Sequence, residues 1–272
     1  MRFTGPCLVT LSDGRKILNP VVDKVSIVRI ISLAPSNTEI LYEIGAEEDV
    51  VATTSLCDYP EEVTEKPGIG GWINPEIEEI QKFGPDLVLA SDDLQDEAVR
   101  RMEEKDFEVL QVRPHTVEEV FESIIEIGEA VGREERAEEL VEDMKDSIEN
   151  LEFNDSPQIY CEEWMDPPMA SGNWIPGLVE RADGKFFLEE GERSREFDLE
   201  KLKDFDPEYI FLNVCGAGEN VDRSEILERR EWQNIAAVKE EKVFVLDDSL
   251  LNRPGPRLLE GLNEMMRKVE EN

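Results

Sequence analysis

The sequence predicts an α/β protein of two Rossmann-like lobes with mainly parallel sheets. One long backbone helix joins the lobes, and a ligand cleft lies between them. Three observations carry this. Short apolar strand segments alternate with helical segments from Val28 onward, the order that builds parallel sheets covered by helices. The alternation pauses over a long helical stretch and restarts near Gln158. Finally, Phe83-Gly84-Pro85-Asp86-Leu87-Val88-Leu89 is echoed by Phe205-Asp206-Pro207-Glu208-Tyr209-Ile210-Phe211, each a helix end, a proline break and a strand. The 272 residues suffice for two lobes of about 100–150 residues.

The elements follow in order. Residues 1–27 form an appendage, with Ser12-Asp13-Gly14-Arg15 as a turn between short strands at 8–11 and 16–18. The first lobe covers 28–132. Its strand at 28–33 leads through Pro35 into a helix capped by Ser36 or Asn37 and ended by Gly45. Strands follow at 50–52, 86–90 and 107–112, with helices at 75–82 and 96–105. Apolar residues at helical spacing predict a helix over 117–131, interrupted by Gly132, and a second over 134–151. The second helix, roughly 27 Å long at 1.5 Å per residue, is expected to connect the lobes, within a linking segment at 133–152. The second lobe covers 153–272, with strands at 158–161, 209–212 and 242–246. A polar Pro- and Gly-rich loop is expected at 162–172. Helices are expected at 175–182, 198–203, 224–230, 233–238 and 255–269.

Charge excludes several functions. Sixty-five acidic against 29 basic residues give a net charge of −36, a surface that repels nucleic acid and anionic lipid. The excess points to a solvent of concentrated salt, where counterions screen self-repulsion. No apolar run approaches the roughly 18–20 residues of a membrane span. The apolar stretch from Cys7 to Leu11 is too short for a secretory leader, so a cytoplasmic location is expected, or an extracytoplasmic one if a leader lies upstream of Met1. Cys7, Cys57, Cys161 and Cys215 match no zinc spacing and are expected as free thiols. His115 is the single histidine, which excludes a His-rich metal site.

Ligands of open α/β sheets sit beyond the carboxyl ends of strands, and the residues there are the binding candidates. In the first lobe they are Pro35, Ser36 and Asn37, then Asp58 and Tyr59, then Gly71 and Trp72, and His115. In the second they are Trp164 and Asp166, Asn173 and Trp174, Cys215 and Gly216, Asp248, and Arg253 with Arg257. Three of the four tryptophans, Trp72, Trp164 and Trp174, fall in such loops. Such aromatics line a site for a large, flat, partly apolar ligand or pack the lobe interface. His115 either supports the following helix or supplies a neutral imidazole to a metal held by the ligand. Cys57 has no sequence signature linking it to a base, so a buried thiol is favoured over a nucleophile. No phosphate-binding loop, nucleophile elbow or dinucleotide fingerprint occurs, so neither a nucleotide cofactor nor catalytic residues are expected.

Several stretches taken together resemble the cobalamin-binding members of the helical-backbone class of ABC-transporter substrate-binding proteins. They are Arg29-Ile30-Ile31-Ser32-Leu33-Ala34-Pro35-Ser36-Asn37-Thr38-Glu39, Cys57-Asp58-Tyr59-Pro60, Gly71-Trp72 with Asn74 and Glu76, Gly84-Pro85-Asp86-Leu87-Val88, Asp166-Pro167-Pro168-Met169 with Gly172-Asn173, and Arg253-Pro254-Gly255-Pro256-Arg257. The first stretch marks a wider class that also holds siderophore and haem binders. The Asp-Tyr-Pro and Gly-Trp pairs narrow the resemblance to corrinoids. It covers about 28–268. It implies non-catalytic binding of cobalamin or a related corrinoid in the interlobe cleft, with Tyr59 and Trp72 as cleft aromatics and Glu76 as a glutamate that docks on a membrane permease. The chain departs from the pattern at Leu250, where the family has an aromatic, and at Asn252, where it has the second docking glutamate. The Asn252 departure, with the expected lack of a secretory leader, points to a cytoplasmic relative that stores, carries or delivers a corrinoid, partnered by an ABC permease or a cytoplasmic corrinoid-handling protein. The rival readings are a transport component for haem or siderophore-iron, and an enzyme acting on a corrinoid or nucleoside-like substrate through Asp58, Glu163 and Asp166.

Overall fold

A computed structural model describes residues 8–10, 16–18 and 28–272. Strands β1 (Leu8–Thr10) and β2 (Lys16–Leu18) pair antiparallel as expected. The turn between them and Cys7 lie outside the described residues.

The first sheet holds β3 (Ile30–Ser32), β4 (Val50–Thr53), β5 (Leu87–Ser91) and β6 (Val109–Val112) in the order β4-β3-β5-β6, all parallel. Helices α1 (Pro35–Glu43), α2 (Ile77–Phe83) and α3 (Asp96–Glu103) connect them. Helix α1 starts two or three residues earlier than expected. Ala34 is its N-cap, with no side-chain cap bond, and Pro35 opens the helix. Proline's preset φ suits that first position, and its missing N–H would have had no helical partner. Ser36 and Asn37 are thereby drawn inside the helix and buried.

Helix α4 (Val117–Val131) occupies the span its periodicity predicts. Thr116 and Glu119 form a capping box at its start, and Gly132, at φ +70°, closes its end. Helix α5 (Glu134–Glu149) folds back against it. The two helices meet closely at Gly128, where an added Cβ would come within 2.3 Å of the Ala137 Cβ. Helix α4 shares the linking role expected of 134–151. Its first amide, Val117 N–H, donates to Glu190 of the second lobe at 2.8 Å. Arg133, the N-cap of α5, donates to the Gly45 carbonyl at 3.2 Å and pairs with Asp49 at 3.3 Å, both in the first lobe. Helix α5 packs along α4 and reaches α6 (Ile175–Arg181) and α10 (Leu258–Glu270).

The second sheet is mixed. It contains β7 (Gln158–Met165), β8 (Pro168–Ala170), β9 (Lys185–Phe186), β10 (Arg195–Glu196), β11 (Tyr209–Leu212) and β12 (Val243–Val245). Strands β9, β7, β11 and β12 run parallel, while β8 and β10 are antiparallel additions. The loop expected at 162–172 is instead a hairpin, because β7 continues to Met165 and returns as β8. Proline is tolerated in a turn and at the first residue of a strand, so Pro167 and Pro168 end one strand without preventing the next. Helices α7 (Leu199–Phe205), α8 (Ser224–Leu227) and α9 (Ala236–Lys239) complete the lobe.

The internal echo has a structural counterpart. Helices α2 and α7 end on left-handed residues, Gly84 at φ +53° and Asp206 at φ +46°. The acid that follows each proline then accepts the amide just ahead of the neighbouring sheet strand or at its start. Asp86 takes Arg29 N–H and Glu208 takes Gln158 N–H, each at 2.9 Å. The second core centres on buried Tyr160, which meets Phe187, Phe197 and Trp232 edge-on at centroid distances of 5.9, 5.5 and 5.7 Å. Its hydroxyl donates to Glu162, which Arg229 holds with two bonds of 2.7 and 2.6 Å. This buried ion pair had no sequence signal.

Candidate ligand cleft

Apolar side chains left in water concentrate at the strand exits. Among the described residues, the large exposed ones are Leu56 (51 %), Tyr59 (38 %), Ile73 (46 %), Leu94 (56 %) and Trp164 (48 %). Leu56, Tyr59 and Ile73 lie between β4 and α2, Leu94 follows β5, and Trp164 sits at the end of β7. Scattered single exposures are ordinary; these fall where the sequence places the binding candidates.

On one side the lobes are joined through four residues that the sequence offered as separate ligand contacts. One guanidinium nitrogen of Arg253 bonds both Asp58, at 2.7 Å, and Glu39, at 2.8 Å. Arg257 lies 4.0 Å from the centroid of the Tyr59 ring and 3.7 Å from the Glu39 carboxylate. Glu39 was not singled out by sequence reasoning, although it closes the Asn37-Thr38-Glu39 stretch. Its side chain is 1 % exposed, and its second carboxylate oxygen has no partner. Burial pushes its pKa up to about 7 against the pull of Arg253 and Arg257.

On the other side the contacts are more acidic. Arg193 pairs with Asp93 at 2.8 Å, and the His115 Nδ1 lies 3.2 Å from the Asn173 side-chain oxygen. Burial raises the Asp92 carboxyl above its ordinary value. It does the same for Glu163, with further upward pushes from the charges of Asp248 and Asp92. Partial burial and then the charges of Glu163 and Asp248 raise the Cys215 thiol. Carboxylates of both lobes therefore share one field. Asp248 is held there by the amides of Gly216 and Gly218, at 2.9 and 2.7 Å.

The remaining candidates divide. Gly71 and Asp166 are exposed, and the Asp166 carbonyl accepts the Trp164 indole N–H at 3.0 Å. Trp72 is half-buried with its indole N–H unpartnered. Its carbonyl is held at 2.7 Å by Gln95, a fully buried amide that no sequence signal marked. Trp174 departs from the expectation. It is 8 % exposed and donates its indole N–H to the Leu251 carbonyl at 2.8 Å, so it packs the core. Ser36 and Asn37 are likewise buried, and Asn37 donates to the Ala90 carbonyl at 3.0 Å. Cys57 is a buried thiol that accepts from Thr38 at 3.2 Å. Asn252 is turned inward against Asn213, whereas Glu76 is exposed beside α2. Among the described residues, no three His, Cys, Asp or Glu side chains converge as metal ligands, so His115 could offer only a single donor. No described helix is long and apolar enough to cross a membrane.

The architecture is that of two sheet lobes spanned by helices, with exposed apolar side chains at strand exits of both. The chain belongs to the periplasmic binding protein family, whose sequence profile matches residues 30–250. It is 28 % identical over 275 residues to an uncharacterized ABC transporter substrate-binding lipoprotein of Bacillus subtilis, covering 96 % of this chain and 85 % of that one. It is 24 % identical over 246 residues to the vitamin B12-binding protein of Vibrio cholerae, covering 87 % of each. The crystal structure of a periplasmic haem-binding protein of Vibrio cholerae superposes with a TM-score of 0.77 at 16 % identity, over 89 % of this chain and 98 % of that one, a likeness of fold. Membership of this family gives the chain the role of an ABC-transporter substrate-binding protein, which implies a small-molecule ligand and a permease partner.

Proposed function

We propose that the cleft binds a corrinoid, cobalamin or cobinamide. The observation that carries this reading is the union of an apolar rim with carboxylates of both lobes. A corrin presents apolar faces, and its edge carries uncharged carboxamides. Haem carries two propionates, and ferric siderophores are commonly anionic, so the charges of Asp92, Glu163 and Asp248 would repel both. The nearby cations Arg193, Arg253 and Arg257 already face carboxylates. In this reading Tyr59, Trp72 and Trp164 supply the apolar contact. Asp166, Gly216 and Asp248 border the carboxamides, and His115 is the one imidazole positioned near the lobe junction. Glu76 is the docking contact for the permease.

A permease partner would be met outside the cytoplasm, and a storage or delivery partner inside it. Cell fractionation separates uptake from intracellular storage. The ligand is tested by calorimetry in concentrated salt with cyanocobalamin, dicyanocobinamide and haemin. One-to-one corrinoid binding is expected. Tight haemin binding without corrinoid binding would overturn the proposal.

A further inference from the structure

We infer that Arg253 and Arg257 are positioning residues that clasp the Asp58-Tyr59 wall of the first lobe against the second and set the presentation of Tyr59 to the ligand. This rests on the reading that Tyr59 lines the ligand cleft.

The clasp is built entirely across the lobe boundary. Arg253 stands 214 residues from Glu39 and 195 from Asp58, so no local preference brings them together. A single nitrogen of Arg253 is shared between the two carboxylates. Arg257 reaches the same Glu39 carboxylate at 3.7 Å and places its guanidinium over Tyr59. Both arginines are thus engaged with first-lobe carboxyl groups. Glu39 is the anchor. It is almost fully buried, and the arginines are the cations that compensate it there.

The consequence for Tyr59 is geometric. Arg257 covers one face of the ring, yet the residue remains 38 % exposed. An open portion of the ring is therefore presented with its orientation held from behind. The planar guanidinium can stack on an aromatic face and pair with a carboxylate at once, which a lysine ammonium does less well. The Asp58-Tyr59 backbone follows Cys57, whose amide donates to Thr54 at 3.1 Å. The exchange of that amide therefore reports whether the wall is held.

The test has one arm without ligand and one with it. Hydrogen exchange over 54–60 is followed by mass spectrometry in protein without added ligand, for the wild type, Arg253→Met, Arg257→Met and Arg253→Lys. Dicyanocobinamide affinity is then measured on the same proteins. Losing charge-assisted bonds is expected to speed exchange in 54–60 and to weaken binding, each by about tenfold, in both Met variants. Exchange in β11 should be unchanged, and Arg253→Lys should recover most of the protection. Where Arg253→Met does not fold, Asp58→Asn removes the exposed half of the same bond. Unchanged exchange in 54–60 overturns the clasp, and if affinity falls all the same, the arginines touch the ligand directly. If wild-type protein binds no corrinoid, the proposed ligand fails while the exchange arm still decides the clasp.

Discussion

Trp164 offers the sharpest test of the cleft, because the structure gives both the size of the expected effect and a way to separate it from folding. The residue lies at the end of β7 and is 48 % exposed. With roughly 250 Å² as the full surface of a tryptophan, about 120 Å² of it faces water. Covering half to all of that area at about 25 cal/mol per Å² is worth roughly 1.5–3 kcal/mol. Trp164→Ala should therefore raise the dissociation constant for cobinamide about 10- to 150-fold. Folding should change by no more than about 0.5 kcal/mol, as for other exposed sites. Trp164→Phe provides the control, because it keeps an aromatic ring and removes only the indole N–H that caps the Asp166 carbonyl. Calorimetric titration paired with thermal melts reads both quantities. A dissociation constant within threefold of wild type at an equal melting temperature would show that the β7–β8 hairpin does not face the ligand.

Four further outcomes are expected. Arg229→Met should cost about 3–5 kcal/mol in urea unfolding, because it strands the fully buried Glu162 carboxylate; a loss under about 1 kcal/mol would mean that the Tyr160 hydroxyl suffices. Trp232→Ala should lower stability by about 3–5 kcal/mol through a cavity beside Tyr160, whereas Trp72→Ala should mainly lower ligand affinity, and the reverse pattern would misplace both. Glu39 has a folded pKa of about 7, above the ordinary 4.5, so the stability it contributes is full below about pH 4.5 and is lost as pH rises through 7. The wild type should accordingly lose up to about 3 kcal/mol more than Glu39→Gln between those limits, and parallel pH profiles would refute the assignment. The net charge of −36 should lower the melting temperature as salt falls from molar levels to about 10 mM, where the Debye length grows to roughly 30 Å; added corrinoid should offset part of the loss, and a melting temperature independent of salt would show that the acids are locally compensated.

The sequence by itself determined the features that depend on one face of one element. Helix α4 follows its apolar spacing from Val117 to Val131, and β11 coincides with the apolar run Tyr209–Leu212. The repeated helix–proline–strand unit also survived into three dimensions, because its parts are adjacent in the chain. Strand exits were legible for the same reason, and with them the loops that hold Tyr59 and Trp72. Tertiary structure decided everything that depends on what lies opposite. Trp174 was expected in a strand-exit loop like Trp164, yet its surroundings bury it while Trp164, at the end of β7, stays in water. The loop expected at 162–172 became a hairpin because β7 offered an edge on which Pro168–Ala170 could pair. Glu39 reads as a polar residue of an early helix. Only the approach of Arg253 and Arg257 from the other end of the chain makes it a buried anchor. Spacing along a chain encodes which side of an element avoids water, but not which distant charge will meet it when two lobes close together.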